Sequence, residues 1–228
     1  MIEFIFMLTH NDATVDDGLG VLEDLRDTGL RYVGFKDVGQ PVATLTEIAA
    51  AAHAAGLQVM LEVVSTSVQD ELRSVRAAIE IGVDWVLGGT NPDEAGAVLA
   101  GRDIRYCPFP GTVTGHPSVL SGAPEEIAAQ AAALTARDGV HGVDLLAYRH
   151  AETDPVELTR QVVQACRGPV IVAGSIVGEA QIRAVQDAGA WGFTIGGAIF
   201  DGRLPGGPSV RDQVLSVLAA AEGAGTPR

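Results

Sequence analysis

The chain has 228 residues, 47% of them hydrophobic and 19% charged, with a formal net charge of −14. That length suits one large domain with a substantial core. The acidity argues against nucleic acid or an anionic membrane as partner, since both need a basic footprint. A small anionic ligand remains compatible, because backbone amides and one or two local cations suffice to hold it.

The N-terminal stretch Met1–Thr9 has too short an apolar run, and no basic leader, for a signal peptide or membrane span, so a cytoplasmic location is expected. Cys107 and Cys166 lie far apart with no C-x-x-C spacing, which fits reduced thiols and not a disulfide or zinc framework.

Strands and helices alternate along the whole chain. A first strand over 2–8 is followed by the polar loop Thr9-His10-Asn11-Asp12 and a helix over 15–27 capped by Thr14, with Asp16 and Asp17 in its first turn. Strands are expected over 32–38, 58–64, 84–88, 104–107, 143–148, 169–173 and 192–195. Between them the pattern places helices over 44–55, 67–81, 91–100, 124–137, 154–166 and 179–188, and a last one over 210–221. Residues 108–122 form the longest loop, and 223–228 read as a frayed tail.

Gly29, Gly56, Gly82, Gly139 and Gly189 each close a helix two or three residues before a strand, where a left-handed residue turns the chain back toward a parallel strand. Eight βα units in about 220 residues fit a single-domain (β/α)8 TIM barrel over 1–222. No G-x-G-x-x-G follows the first strand, which weakens a dinucleotide-binding sheet.

Function in such a barrel gathers at the carboxyl ends of the strands. Lys36 is the only lysine in the chain and stands near the end of the second strand. Alternation turns Val33 and Phe35 toward the helices and Gly34 and Lys36 inward. In the third strand it turns Val59, Leu61 and Val63 outward, and Met60, Glu62 and Val64 inward. Adjacent strands lie about 4.8 Å apart, so Lys36 and Glu62 can meet. A structural ion pair and an acid–base pair both answer the cost of burying Glu62, but position at the functional end favours chemistry.

Other polar residues fall at the same end: His10, Asn11 and Asp12, Thr90, Thr112, Thr114 and His116, and Tyr148, Arg149 and His150. His10 and His116 are candidate acid–base partners, and Thr90, Tyr148 and Arg149 candidate substrate contacts. His53 and His141 belong to structure or solvent. His10, Asp12, His116 and His150 could gather a metal, but no pair has helical ligand spacing, so neither metal nor cofactor is expected.

The most specific motif is Pro169-Val-Ile-Val-Ala-Gly-Ser-Ile176 followed by Gly192-Phe-Thr-Ile-Gly-Gly-Ala-Ile-Phe-Asp-Gly202. The amides of Gly174, Ser175, Gly196 and Gly197 on two adjacent strands suit an anion nest. These residues, with Ala188-Gly189-Ala190-Trp191 between them, resemble the ribulose-phosphate-binding barrel superfamily. The similarity runs to the histidine- and tryptophan-biosynthesis isomerases and the N-acetylmannosamine-6-phosphate epimerases. The resemblance implies a phosphorylated sugar or sugar-like substrate. The paired aspartates of the histidine isomerases on strands one and five are missing, as is the D-x-K-x-x-D pattern of the orotidine-phosphate decarboxylase group.

Three functions therefore compete. One is isomerisation or epimerisation through an enediolate, with Lys36 and Glu62 as acid–base pair and the loop after strand five closing over the substrate. The second is a lyase or aldolase with a Schiff base on Lys36. The third is a non-catalytic barrel that binds a phosphorylated metabolite. Alanine-rich helices hint at a homodimer.

Overall fold

The structure is a computed structural model that describes residues 2–65 and 67–223. Eight parallel strands form one sheet: β1 (Glu3–Met7), β2 (Tyr32–Lys36), β3 (Gln58–Val63), β4 (Trp85–Gly88), β5 (Arg105–Cys107), β6 (Val143–Leu145), β7 (Val170–Val172) and β8 (Gly192–Ile195). Each pairs with its neighbour in chain order except β5 with β6, and β8 pairs with β1. The remaining seam, β5 to β6, is joined by His141 N–H donating to Tyr106 O at 2.8 Å and Asp144 N–H donating to Pro108 O at 3.0 Å. The sheet is thus a nearly closed (β/α)8 barrel.

The helices are α1 (Gly18–Asp24), α2 (Val42–Ala54), α3 (Val68–Ile81), α4 (Pro92–Leu99), α5 (Pro124–Thr135), α6 (Pro155–Ala165), α7 (Glu179–Asp187), the short α8 (Gly197–Phe200) and α9 (Val210–Gly223). Their starts follow ordinary capping chemistry. Ser67 and Asp154 accept backbone N–H groups at the heads of α3 and α6, and prolines occupy the first turns of α4, α5 and α6. All five helix-ending glycines singled out above have positive φ. No described helix is long and apolar enough to cross a membrane.

Several boundaries differ from expectation for identifiable reasons. The first helix starts at Gly18, not at 15, because Asp17 caps it through Gly20 N. Thr14 instead pairs in a small hairpin (Thr9–His10 with Ala13–Thr14), and its hydroxyl bridges the backbone N–H and C=O of Lys36. The loop after β5 also carries a hairpin, Thr112–Thr114 with Val119–Ser121. The expected sixth strand ends at Leu145, and a 3-10 turn over Ala147–Arg149 replaces its last residues. Gly223 closes α9, so only residues 224–228 of the expected tail lie outside the described residues.

The core has two zones. Phe4, Phe6, Val33, Phe35, Val59, Leu61 and Val63 pack between sheet and helices. Ile5, Met7, Met60, Trp85, Leu87, Cys107 and Ile171 fill the interior. Gly34 makes room for this inner layer, since a methyl there would lie 2.5 Å from Met7 Sδ. The lower mouth is closed by Trp85 stacked on Trp191 at 5.2 Å, with Tyr32 edge-on to Trp191 at 5.5 Å. The polar interior residues therefore sit at the other end.

Candidate active site

Lys36 and Glu62 are in-register neighbours on β2 and β3, and both are buried, with 4% and 7% exposure. Lys36 Nζ lies 3.9 Å from Glu62 Oε2 and donates to Asp12 Oδ1 at 2.6 Å. Asp12 comes from the tip of the first hairpin, at positive φ, and is also 3.5 Å from Arg149 Nη2. Burial pushes its carboxyl up, but the Lys36 hydrogen bond and the charges of Lys36, Arg149 and His116 outweigh that and hold it below the usual range.

These groups line one end of a cavity of about 350 Å³. The other end is walled by Gly174, Ser175, Gly196, Gly197 and Arg203. Three of the chain's 15 lysines and arginines, Lys36, Arg149 and Arg203, thus face one cavity in a strongly acidic protein. Asp12, Glu62 and Asp201 share its lining, and Arg203 Nε is 3.2 Å from Asp201 Oδ2.

The glycines are required for different reasons. A methyl on Gly174 would lie 2.3 Å from Arg149 Nε, and one on Gly196 would lie 2.5 Å from Thr9 Oγ1. At Gly196 the crowding includes the backbone oxygens of Thr9 and Met7, so packing admits only glycine, whereas at Gly174 it is the φ of +76 that favours glycine. At Gly197 a methyl would have no protein atom within 4 Å, and the residue has no positive φ. Neither packing nor backbone conformation demands glycine there, yet it forms part of the cavity wall. Ser175 has φ +60, a conformation that turns its amide out of the strand direction.

Four expected residues stand elsewhere. His10 is bound to Asp201 at 2.9 Å and packed against Phe200, outside the cavity lining. Thr90 and Asn91 are tied to the fully buried Glu71, whose carboxylate accepts both backbone N–H groups at 2.9 and 3.0 Å. Tyr148 is turned by the 3-10 turn toward the helix-side core, while Arg149 on the same turn faces the cavity. His116 is exposed in the second hairpin and lines an adjoining cleft with Asp37, Ser65 and Ser74. His150 is bound to Gly122 O, His53 to Asp84, and His141 accepts from Tyr106 N–H.

Sequence reasoning missed Asp12 as the partner of Lys36, Arg203 as a cavity cation, and Asp144 in the interior. Asp144 was within reach of the same alternation that found Glu62, because it stands between the apolar Val143 and Leu145. Arg203 follows a short helix and carries no pattern.

No protein-family model and no curated protein matches this chain. Its fold is widely shared among solved structures. A native KDPGal structure is similar at 16% identity and a TM-score of 0.69, over 97% of this chain and 95% of that one. Orotidine 5'-phosphate decarboxylase from Pyrococcus horikoshii OT3 is similar at 12% identity and a TM-score of 0.69, over 96% and 99% of the two chains. Phosphoribosylanthranilate isomerase from Thermotoga maritima is similar at 14% identity and a TM-score of 0.63, over 98% and 100%. These likenesses show the fold, a (β/α)8 barrel.

Proposed function

We propose that this protein is an enzyme that isomerises or epimerises a small phosphorylated sugar or sugar-like metabolite through an enediolate. The observation that carries the reading is the placement of buried, neighbouring Lys36 and Glu62 at one end of a cavity whose other end is walled by glycine backbone and Arg203. Gly174, Ser175, Gly196 and Gly197 would take the phosphate through backbone amides, with Arg203 adding charge. Glu62 would remove the proton beside the substrate carbonyl, and the electron pair would pass to the carbonyl oxygen. Lys36, held by Asp12, would stabilise that oxyanion. Arg149 spans the two ends and would orient the substrate between them.

The ion pair with Asp12 at 2.6 Å favours this route over a Schiff base, which needs a neutral amine. The likeness to the phosphoribosylanthranilate isomerase and orotidine 5'-phosphate decarboxylase structures is consistent with a phosphorylated ligand. The test is solvent exchange. In deuterated water, a panel of ketose and aldose phosphates is incubated with protein, and loss of the C–H signal next to the carbonyl is followed by proton NMR. Wild-type protein should exchange at least one substrate, and Glu62→Gln should slow it roughly 10²–10⁴-fold. Exchange that persists in Glu62→Gln at the wild-type rate sinks the assignment.

A further inference from the structure

The barrel interior holds an ionisable group that the proposed reaction does not use. Asp144 is the middle residue of β6, fully buried, and neither of its carboxyl oxygens has a hydrogen-bond partner among the described residues. Its backbone N–H is occupied at the β5–β6 seam. The charges that reach the side chain are Glu62 from β3, Lys36 from β2 and Arg149 from the turn after β6, and its own field reaches Cys107 on β5. Met7, Leu87 and Ile171, from β1, β4 and β7, are the apolar part of the same interior.

An ionised carboxylate in such a place has no hydrogen-bond donor to compensate it, and folded proteins rarely keep a buried polar side chain without partners. Burial, followed by the Glu62 charge, pushes the Asp144 carboxyl well above its ordinary range, and Lys36 and Arg149 only partly offset this. A neutral acid thus stands near the acid–base pair, set back from the cavity wall. An apolar residue of similar size would give a more stable interior. Retention of a costly group beside a reactive one is the usual mark of a functional role.

We propose that Asp144, buried and unpartnered inside the barrel, stays protonated beside the acid–base pair, and that Glu62 accepts a substrate proton only while Asp144 keeps its own. Asp144 is a positioning residue for proton transfer, and this role rests on the reading of Glu62 as the base. The step balances without it. Glu62 carboxylate gains the substrate proton, the C–H electron pair moves onto the carbonyl oxygen beside Lys36, and Asp144 keeps its O–H throughout. If Asp144 ionises, a second negative charge in the dry interior competes for Lys36 and opposes the developing oxyanion. Activity therefore falls as pH rises through the titration of Asp144. Asp144→Asn keeps the shape and stays neutral, so that fall disappears.

The decisive experiment is carbon-13 NMR of protein labelled at the aspartate side-chain carboxyl carbon, read without substrate in wild type, Asp144→Asn and Glu62→Gln. One resonance, absent in Asp144→Asn, should titrate above the ordinary aspartate range in wild type and move toward that range in Glu62→Gln. An Asp144 resonance that titrates in the ordinary range, or that ignores Glu62→Gln, overturns the neutral Asp144. With a turned-over substrate, Asp144→Asn should keep kcat within roughly threefold at its optimum and lose the high-pH decline. A profile superimposable on wild type overturns the positioning role. Because the titration is read with no substrate present, failure of the proposed reaction leaves its result untouched.

Discussion

Asp12, not the in-register neighbour Glu62, makes the short contact with Lys36, at 2.6 Å against 3.9 Å. The two residues come from different elements, a hairpin tip and a strand end, so the ammonium is fixed from above as well as from the side. Asp12→Asn removes the charge and keeps the shape. Activity should fall roughly 10²-fold, the usual cost of a misplaced group, with KM changed far less than kcat. The pH sign follows from the lowered carboxyl. Its stabilising contribution is present above the unfolded value of 3.8 and is lost as pH falls through the lower folded value. Thermal unfolding of Asp12→Asn should therefore be flatter than wild type in that acid range.

Lys36 decides between proton transfer and covalent chemistry. Borohydride added during incubation with ketose phosphates should leave the protein mass unchanged, while turnover continues. A stable adduct located on Lys36 by peptide mapping would replace the enediolate with a Schiff base. Lys36→Met should abolish turnover in either case. Lys36→Arg should fail to restore it, because the guanidinium is planar and bulkier in the same buried place.

Asp144 gives the opposite pH dependence to Asp12. Its carboxyl is raised in the folded protein, so the folded state keeps a proton that the unfolded chain releases. Its stabilising contribution is complete below the unfolded value of 3.8 and is lost as pH rises toward the raised folded value. Asp144→Asn should therefore melt higher than wild type at neutral pH, with the gap closing as pH is lowered toward 4. Equal melting temperatures across that range would show that Asp144 is not held neutral.

The barrel and its two best-marked ends could be read from the sequence because each rests on local rules. Helix-ending glycines with positive φ and the alternation of Val33, Gly34, Phe35 and Lys36 are properties of a few consecutive residues. The contact of Asp12 with Lys36 and the place of Arg203 in the cavity could not be read in this way, since each depends on how a connecting segment is directed by distant packing. Tyr148 and Arg149 show the limit most sharply. A continuing strand would have pointed them to opposite faces in the reverse sense, but the 3-10 turn after Leu145 re-aims both. Thr90 misled for another reason: its partner Glu71 lies on a helix, 19 residues away, with nothing in sequence to connect them.

Gly197 separates a ligand role from a structural one. A methyl there meets no protein atom, so Gly197→Ala should keep or slightly raise stability, by at most about 1 kcal/mol. If phosphate approaches this backbone, the same methyl should raise KM for a phosphorylated substrate at least tenfold. Gly196→Ala is the control, since its methyl runs into Thr9 and Met7 backbone and should destabilise the β8–β1 seam. Unchanged affinity for inorganic phosphate and substrate in Gly197→Ala would show that no phosphate sits against this backbone.

Glu71 should matter for folding and not for catalysis. It is fully buried on α3 and its two oxygens accept from Thr90 N, Asn91 N and Asn91 Nδ2, closing the start of α4. Glu71→Ala leaves these part-buried donors without their carboxylate acceptor, at a cost of about 3 kcal/mol. For a domain of this size that lowers Tm by roughly 10 °C. Thr90→Val removes only the hydroxyl, whose 3.5 Å contact with Glu71 is weak, while the backbone bond survives. That variant should keep kcat and KM within twofold. A tenfold rise in KM for Thr90→Val, at unchanged stability, would place the Thr90 hydroxyl against the substrate.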